Sequence, residues 1–113
     1  MKSRTHLVVS LLALMTANSV RAGVAIDPAK AKEIATQHAC FACHGLDSKL
    51  VGPAWRDVAV RYSGKPEVAK QLVAHVQNGS SGVWGAVPMP PNRIGTDDAR
   101  TVVQWILAGA NEK

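Results

Sequence analysis

The chain has 113 residues, 47% of them hydrophobic and 19% charged, with a formal net charge of +5. That length holds one small domain and excludes a multidomain enzyme, while the apolar fraction excludes a disordered chain. Two cysteines exclude a dense disulfide framework, and the basic excess points to nucleic acid only if the charges cluster on one face.

Residues 1 to 22 read as a cleaved secretory signal peptide. Lys2 and Arg4 make a positive start, and Leu7 to Met15 is an almost wholly apolar run. Val20-Arg21-Ala22 presents the small side chains that a signal peptidase inspects. Cleavage is expected after Ala22, although Gly23-Val24-Ala25 permits it three residues later. The run is too short for a spanning helix of about twenty residues, so no stable membrane insertion is expected after cleavage. The address predicts a periplasmic protein, secreted across the inner membrane. Its removal leaves residues 23–113 as one domain with 10 basic and 8 acidic side chains, a net charge of +2. Those basic residues are dispersed, which removes the nucleic-acid reading. So short a chain, with five aromatic residues in all, is close to the limit for a core built from side chains alone.

The first helix is expected to open at Asp27-Pro28, a good cap followed by a residue suited to the first helical position. Ala31, Ile34, Ala35 and His38 then recur at helical spacing up to Cys40. Gly45 to Pro53 reads as loop, Trp55 to Tyr62 as a short helix, and Ser63 to Pro66 as a break. Pro66 is expected to start a third helix with Val68, Leu72, Val73 and Val76 on one side, stopped by Asn78-Gly79. Ser80 to Gly95, rich in glycine and proline, reads as an irregular segment. The last helix is expected from Asp97 to Ala108, capped by Thr96, with Ala99, Val103, Ile106 and Ala110 on its buried stripe. Val102 and Trp105 widen that stripe. The fold class is therefore all-α, about four helices with long loops, and long loops in so small a domain surround something.

Cys40-Phe41-Ala42-Cys43-His44 is the c-type haem attachment pattern. Residues three apart at a helix end project from one face, so both thiols can reach the two vinyl groups on one porphyrin edge. His44 then swings its imidazole beneath the iron. A redox dithiol would want a βαβ setting, and a zinc site would want four ligands; the chain offers neither. The sixth ligand follows by elimination. Met1, His6 and Met15 leave with the signal peptide, so Met89, His38 and His75 remain. Three prolines around Met89, in Val87-Pro88-Met89-Pro90-Pro91, make a stiff loop that can aim a thioether at a fixed point. His38 precedes Cys40 on the attachment helix, on the wrong side for a distal approach, and reads as a surface or packing residue. His75 is the rival.

Cys40 to His44, Val51-Gly52-Pro53-Ala54, Asp57-Val58-Ala59, Gly82-Val83-Trp84-Gly85, Pro88-Met89-Pro90-Pro91-Asn92 and Trp105-Ile106-Leu107 occur in a telling order. In this the chain resembles the small bacterial class I cytochromes c, above all the cytochrome c-551 family. The resemblance implies a compact class I cytochrome c fold wrapped around one covalently bound haem c, with Cys40 and Cys43 as its thioethers and His44 and Met89 axial. It implies that Pro53 accepts a hydrogen bond from the other nitrogen of His44, and that Asn92 holds the Met89 sulfur. It further implies that Trp84 donates to a haem propionate, and His75 falls where related proteins often place a basic residue beside the inner propionate.

The expected function is that of a single-haem electron carrier, not an enzyme: with both axial positions filled by protein, iron has no vacancy. Redox partners are expected to dock weakly on the exposed haem edge of a monomer. Family resemblance suggests a cytochrome bc-type complex as donor, and a nitrite reductase, terminal oxidase or cytochrome c peroxidase as acceptor. The competing reading is a haem enzyme or gas sensor with a displaceable sixth ligand; against it, Ser80 to Gly95 holds no carboxylate and no histidine.

Overall fold

The computed structural model describes residues 25–113, and the expected signal peptide lies outside them. Four α-helices follow in order: α1 (Pro28–Gln37), α2 (Trp55–Arg61), α3 (Ala69–Asn78) and α4 (Thr96–Leu107). Among the described residues there is no strand, only isolated backbone bridges between His44 and Lys49 and between Ser80 and Met89.

Helix α1 starts as its sequence dictates. The Asp27 carboxylate accepts from the backbone N–H groups of Ala29 and Lys30 at 3.0 and 3.2 Å, and Pro28 follows it. The helix ends at Gln37, earlier than the expected Cys40, because Ala39 turns into the left-handed region at φ 55°. A left-handed residue at this place stops a helix, and a β-carbon there costs about 1 kcal/mol or more. Local bonds offset the strain. Residues Cys40–Ala42 form a separate 3₁₀ turn in which Ala42 N–H donates to Ala39, and the N–H groups of Cys43 and His44 both donate to the Cys40 carbonyl. The two cysteines and His44 therefore sit on a tight turn beyond the helix, with its own direction.

The third helix is also preceded by a 3₁₀ turn, Pro66–Val68, so Pro66 opens the turn and Ala69 opens α3. In α4 the cap is Gly95, and Thr96 is the first helical residue. The Thr96 hydroxyl is drawn sideways instead, accepting from Gln77 Nε2 at 3.1 Å. Asp97 and Asp98 occupy the first turn, where the helix dipole favours negative charge.

Helix α4 packs against α1, α2 and α3. Its buried residues Ala99, Val102, Val103, Trp105 and Ile106 meet Ala31, Ile34 and Ala35 of α1, Trp55 and Val58 of α2, and Val73 of α3 in one apolar cluster. Trp105 stands edge-on to Trp55 with ring centroids 5.5 Å apart, and its indole N–H donates to the Asn111 carbonyl at 2.7 Å. Trp55 in turn lies 4.9 Å from Phe41, so the aromatic wedge runs from α4 to the turn that carries the cysteines. Long loops precede α2 and α4.

Candidate haem site

Two loops aim the chemistry-bearing side chains. On the first, Gly52 N–H donates to the Cys43 carbonyl at 2.8 Å, folding Gly52-Pro53 back across His44. The Pro53 carbonyl then lies 2.8 Å from His44 Nδ1. A carbonyl can only accept, so Nδ1 carries a proton, and the neutral ring would then present its lone pair at Nε2. The other face of the ring stacks on Trp55, with centroids 5.6 Å apart and planes 22° apart. Gly52 is required here by crowding. A β-carbon at this residue would meet His44 Cε1 at 2.6 Å.

On the second loop, Met89 exchanges both backbone hydrogen bonds with Ser80. Met89 N–H donates at 2.8 Å, and Ser80 N–H returns at 3.0 Å. Gly79 makes this approach possible: its φ is +80°, and a β-carbon there would stand 2.8 Å from the Met89 carbonyl oxygen. Between Pro88 and Pro90, with both backbone polar groups paired, Met89 has little freedom other than that of its side chain.

His44 and Met89 line the same cleft, which is open to solvent. Its walls are apolar: Trp55 and Val58 from α2, Leu72 and Val76 from α3, and Val103 and Ile106 from α4. Of the residues singled out in the sequence, the structure also brings Cys43, Pro53, His75 and Trp84 to this cleft. Trp84 sits at the mouth beneath Arg61, whose guanidinium is 4.4 Å from the ring centroid and donates to the Val83 carbonyl at 2.8 Å. Asn92 and Cys40 lie behind the lining. The Asn92 carboxamide engages His38, with Nδ2 donating to the His38 carbonyl at 3.0 Å and Oδ1 lying 3.2 Å from His38 Nδ1. Cys40 packs against the apolar core as a free thiol. Burial pushes that thiol above its ordinary value, a backbone hydrogen bond opposes the rise, and the charge of Cys43 adds to it. Trp55 was seen in the sequence only as the start of a helix. Its distance of two residues from Pro53, the carbonyl that anchors His44, is the signal that could have marked it.

The donor set decides what the cleft can hold. A neutral imidazole nitrogen and a thioether sulfur suit a soft, low-charge iron centre. The apolar walls suit a flat macrocycle, and the free thiols of Cys43, which lines the cleft, and of neighbouring Cys40 permit covalent anchoring. Among the described residues no cluster of three or more His, Cys, Asp or Glu side chains offers a site for a bare metal ion.

Residues 28–110 match the cytochrome c family. The chain belongs to that family. This cytochrome is 46% identical to cytochrome c-551 of Pseudomonas aeruginosa over 69 residues, which is 61% of this chain and 66% of that protein. It is 46% identical to cytochrome c-551 of Ectopseudomonas mendocina over 79 residues, 70% of this chain and 96% of that one. The crystal structure of wild-type Nitrosomonas europaea cytochrome c552 superposes with a TM-score of 0.66 at 42% identity, covering 69% of this chain and 98% of that one. These relatives make it a small class I c-type cytochrome close to the c-551 family, with one covalently attached haem c.

Proposed function

We propose that this cytochrome is a periplasmic, single-haem electron carrier, exported by a signal peptide over residues 1–22 and active as the domain 23–113. It passes one electron between respiratory redox proteins and has no enzymatic activity of its own. The observation that carries the reading is the convergence of His44 and Met89, from opposite loops, on one apolar cleft.

In this reading His44 Nε2 and Met89 Sδ would hold the haem iron, and the Cys40 and Cys43 sulfurs would attach the macrocycle. Haem c supplies the one-electron iron couple. The chain's own residues keep that couple simple. The Pro53 carbonyl holds the His44 ring in one orientation and raises its basicity. The reciprocal bonds of Met89 with Ser80 hold its backbone in place whichever charge the site carries. The aliphatic walls keep water and small ligands out, and burial together with a thioether ligand favours the reduced form. Asn92, on the loop of Met89, would steady the sulfur with its remaining amide hydrogen, and Trp84 and His75 would face the propionates. Leu50, Val51 and Val87 are 52%, 55% and 64% exposed beside the cleft mouth, an apolar rim suited to brief docking by redox partners. Family resemblance suggests a bc-type complex as donor, and a nitrite reductase, terminal oxidase or cytochrome c peroxidase as acceptor. Among the described residues no helix is long and apolar enough to cross a membrane.

The test is the oxidised spectrum of the holoprotein. The weak far-red sulfur-to-iron band should be present in the wild type and absent from Met89→Ala. Rapid carbon monoxide binding by the reduced wild type would overturn the closed-site carrier. Mass spectrometry of the periplasmic protein reads both the cleavage point and the covalent haem mass.

A further inference from the structure

The loop that carries Met89 is tied down in two directions. Backbone bonds hold it to the end of α3: the Ser80–Met89 pair, and Asn92 N–H donating to the Val76 carbonyl at 2.9 Å. The tie to the opposite side of the cleft, the segment leading into Cys40, is made by side chains, those of Asn92 and His38, 54 residues apart in sequence.

The chemistry of this pair fixes its own proton. The His38 carbonyl can only accept, so the Asn92 atom 3.0 Å from it is the amide nitrogen. Oδ1 of Asn92 therefore faces His38 Nδ1 at 3.2 Å, and since it too can only accept, Nδ1 bears the hydrogen. The ring donates from Nδ1 both as imidazolium and as one neutral tautomer. The carboxamide is gripped at both ends, with one amide hydrogen left over. His38 itself is held as the C-cap residue just past α1, with its N–H on the Ile34 carbonyl, and it immediately precedes the left-handed Ala39.

We propose that His38 is a positioning residue for the sixth ligand: its ring and carbonyl together latch Asn92 and hold the Met89 loop closed across the cleft. The latch rests on the ligation by Met89 proposed above. A mere cap for α1 would need only the Asn92 amide donating to the His38 carbonyl, which satisfies one of the unpaired carbonyls at the helix end. The ring bond to Oδ1 is surplus to that task, and it is what a latch adds.

The experiment uses ferric holoprotein and imidazole as the competing ligand, followed by loss of the far-red band. His38→Ala keeps the carbonyl bond and removes the ring, and imidazole should displace the sixth ligand about five- to tenfold more readily, the effect of one hydrogen bond. His38→Asn can place an amide donor where Nδ1 stands, and should return displacement to within about twofold of the wild type. Long-range proton–nitrogen correlation in the wild type should show His38 Nδ1 protonated at neutral pH. Unchanged displacement in His38→Ala, equal leakiness in His38→Asn, or a bare Nδ1 would each overturn the latch while leaving Met89 as ligand. Absence of the far-red band from the wild type would overturn the ligation and the latch together.

Discussion

Gly52→Ala tests whether crowding sets the pose of the proximal histidine. The new β-carbon would lie 2.6 Å from His44 Cε1, 3.0 Å from Nδ1 and 3.1 Å from Nε2. Carbon atoms rest about 3.5–4.0 Å apart, so the ring would have to retreat by roughly 1 Å. It has nowhere to go: its far face is on Trp55, which is 3% exposed and itself wedged between Phe41 and Trp105. Overpacking of this kind costs about 1–3 kcal/mol, and loss of the bond to Pro53 adds about 1 kcal/mol. Gly52 does not occupy the left-handed region, so alanine suffers no backbone strain and regains about 0.5 kcal/mol by narrowing the unfolded ensemble. The net expectation is a loss of about 1.5–3.5 kcal/mol in denaturant unfolding of the ferric holoprotein, measured at constant m-value. The reduction potential should rise at the same time, because an imidazole without its carbonyl partner is a poorer donor to the oxidised iron. Gly95→Ala, where a β-carbon meets open space, serves as the control and should change stability by about 0.5 kcal/mol. A Gly52→Ala protein as stable as that control, with an unaltered potential, would refute the reasoning.

Three further outcomes follow from the geometry. Ala39→Gly removes a β-carbon from a residue at φ 55° and should stabilise the protein by about 1 kcal/mol, raising Tm by about 5 °C, with no change in the visible spectrum. Gly79→Ala combines positive φ with a 2.8 Å clash against the Met89 carbonyl oxygen. It should lower stability by about 2–3 kcal/mol and open the reduced iron to carbon monoxide, as stopped-flow mixing would show. His75 lines the cleft from α3, so His75→Phe should shift the reduction potential measured by voltammetry at fixed pH, and an unchanged potential would remove His75 from a role beside the haem.

Much of this architecture was legible in the chain itself. Asp27-Pro28, the apolar stripes of α3 and α4 and the proline bracket around Met89 are local signals, and each sits where its chemistry places it. What escaped notice depends on contacts between distant segments or on strain. Alanine favours continuing a helix, so nothing local announces that Ala39 breaks one. Gly52 reads as a turn glycine, yet what demands it is the ring of His44 eight residues earlier. Thr96 has the composition of a cap, but Gln77 on a neighbouring helix claims its hydroxyl. The part played by His38 is invisible until Asn92 is brought beside it. Short-range pattern told which residues would matter on each segment. It could not tell which segments would hold one another.

Arg61 has a consequence for how a partner meets this surface. Its guanidinium is fixed by the Trp84 ring and the Val83 carbonyl, partners that position a cation without neutralising it, and no described carboxylate pairs with it. The full charge therefore projects from the cleft mouth. At physiological ionic strength its field decays over about 8 Å, too short to gather a partner from solution. Within that distance it can still reward one rotation of the partner over another. Such a charge acts on the angle of approach, so changing it should alter which encounters are productive more than how often they occur.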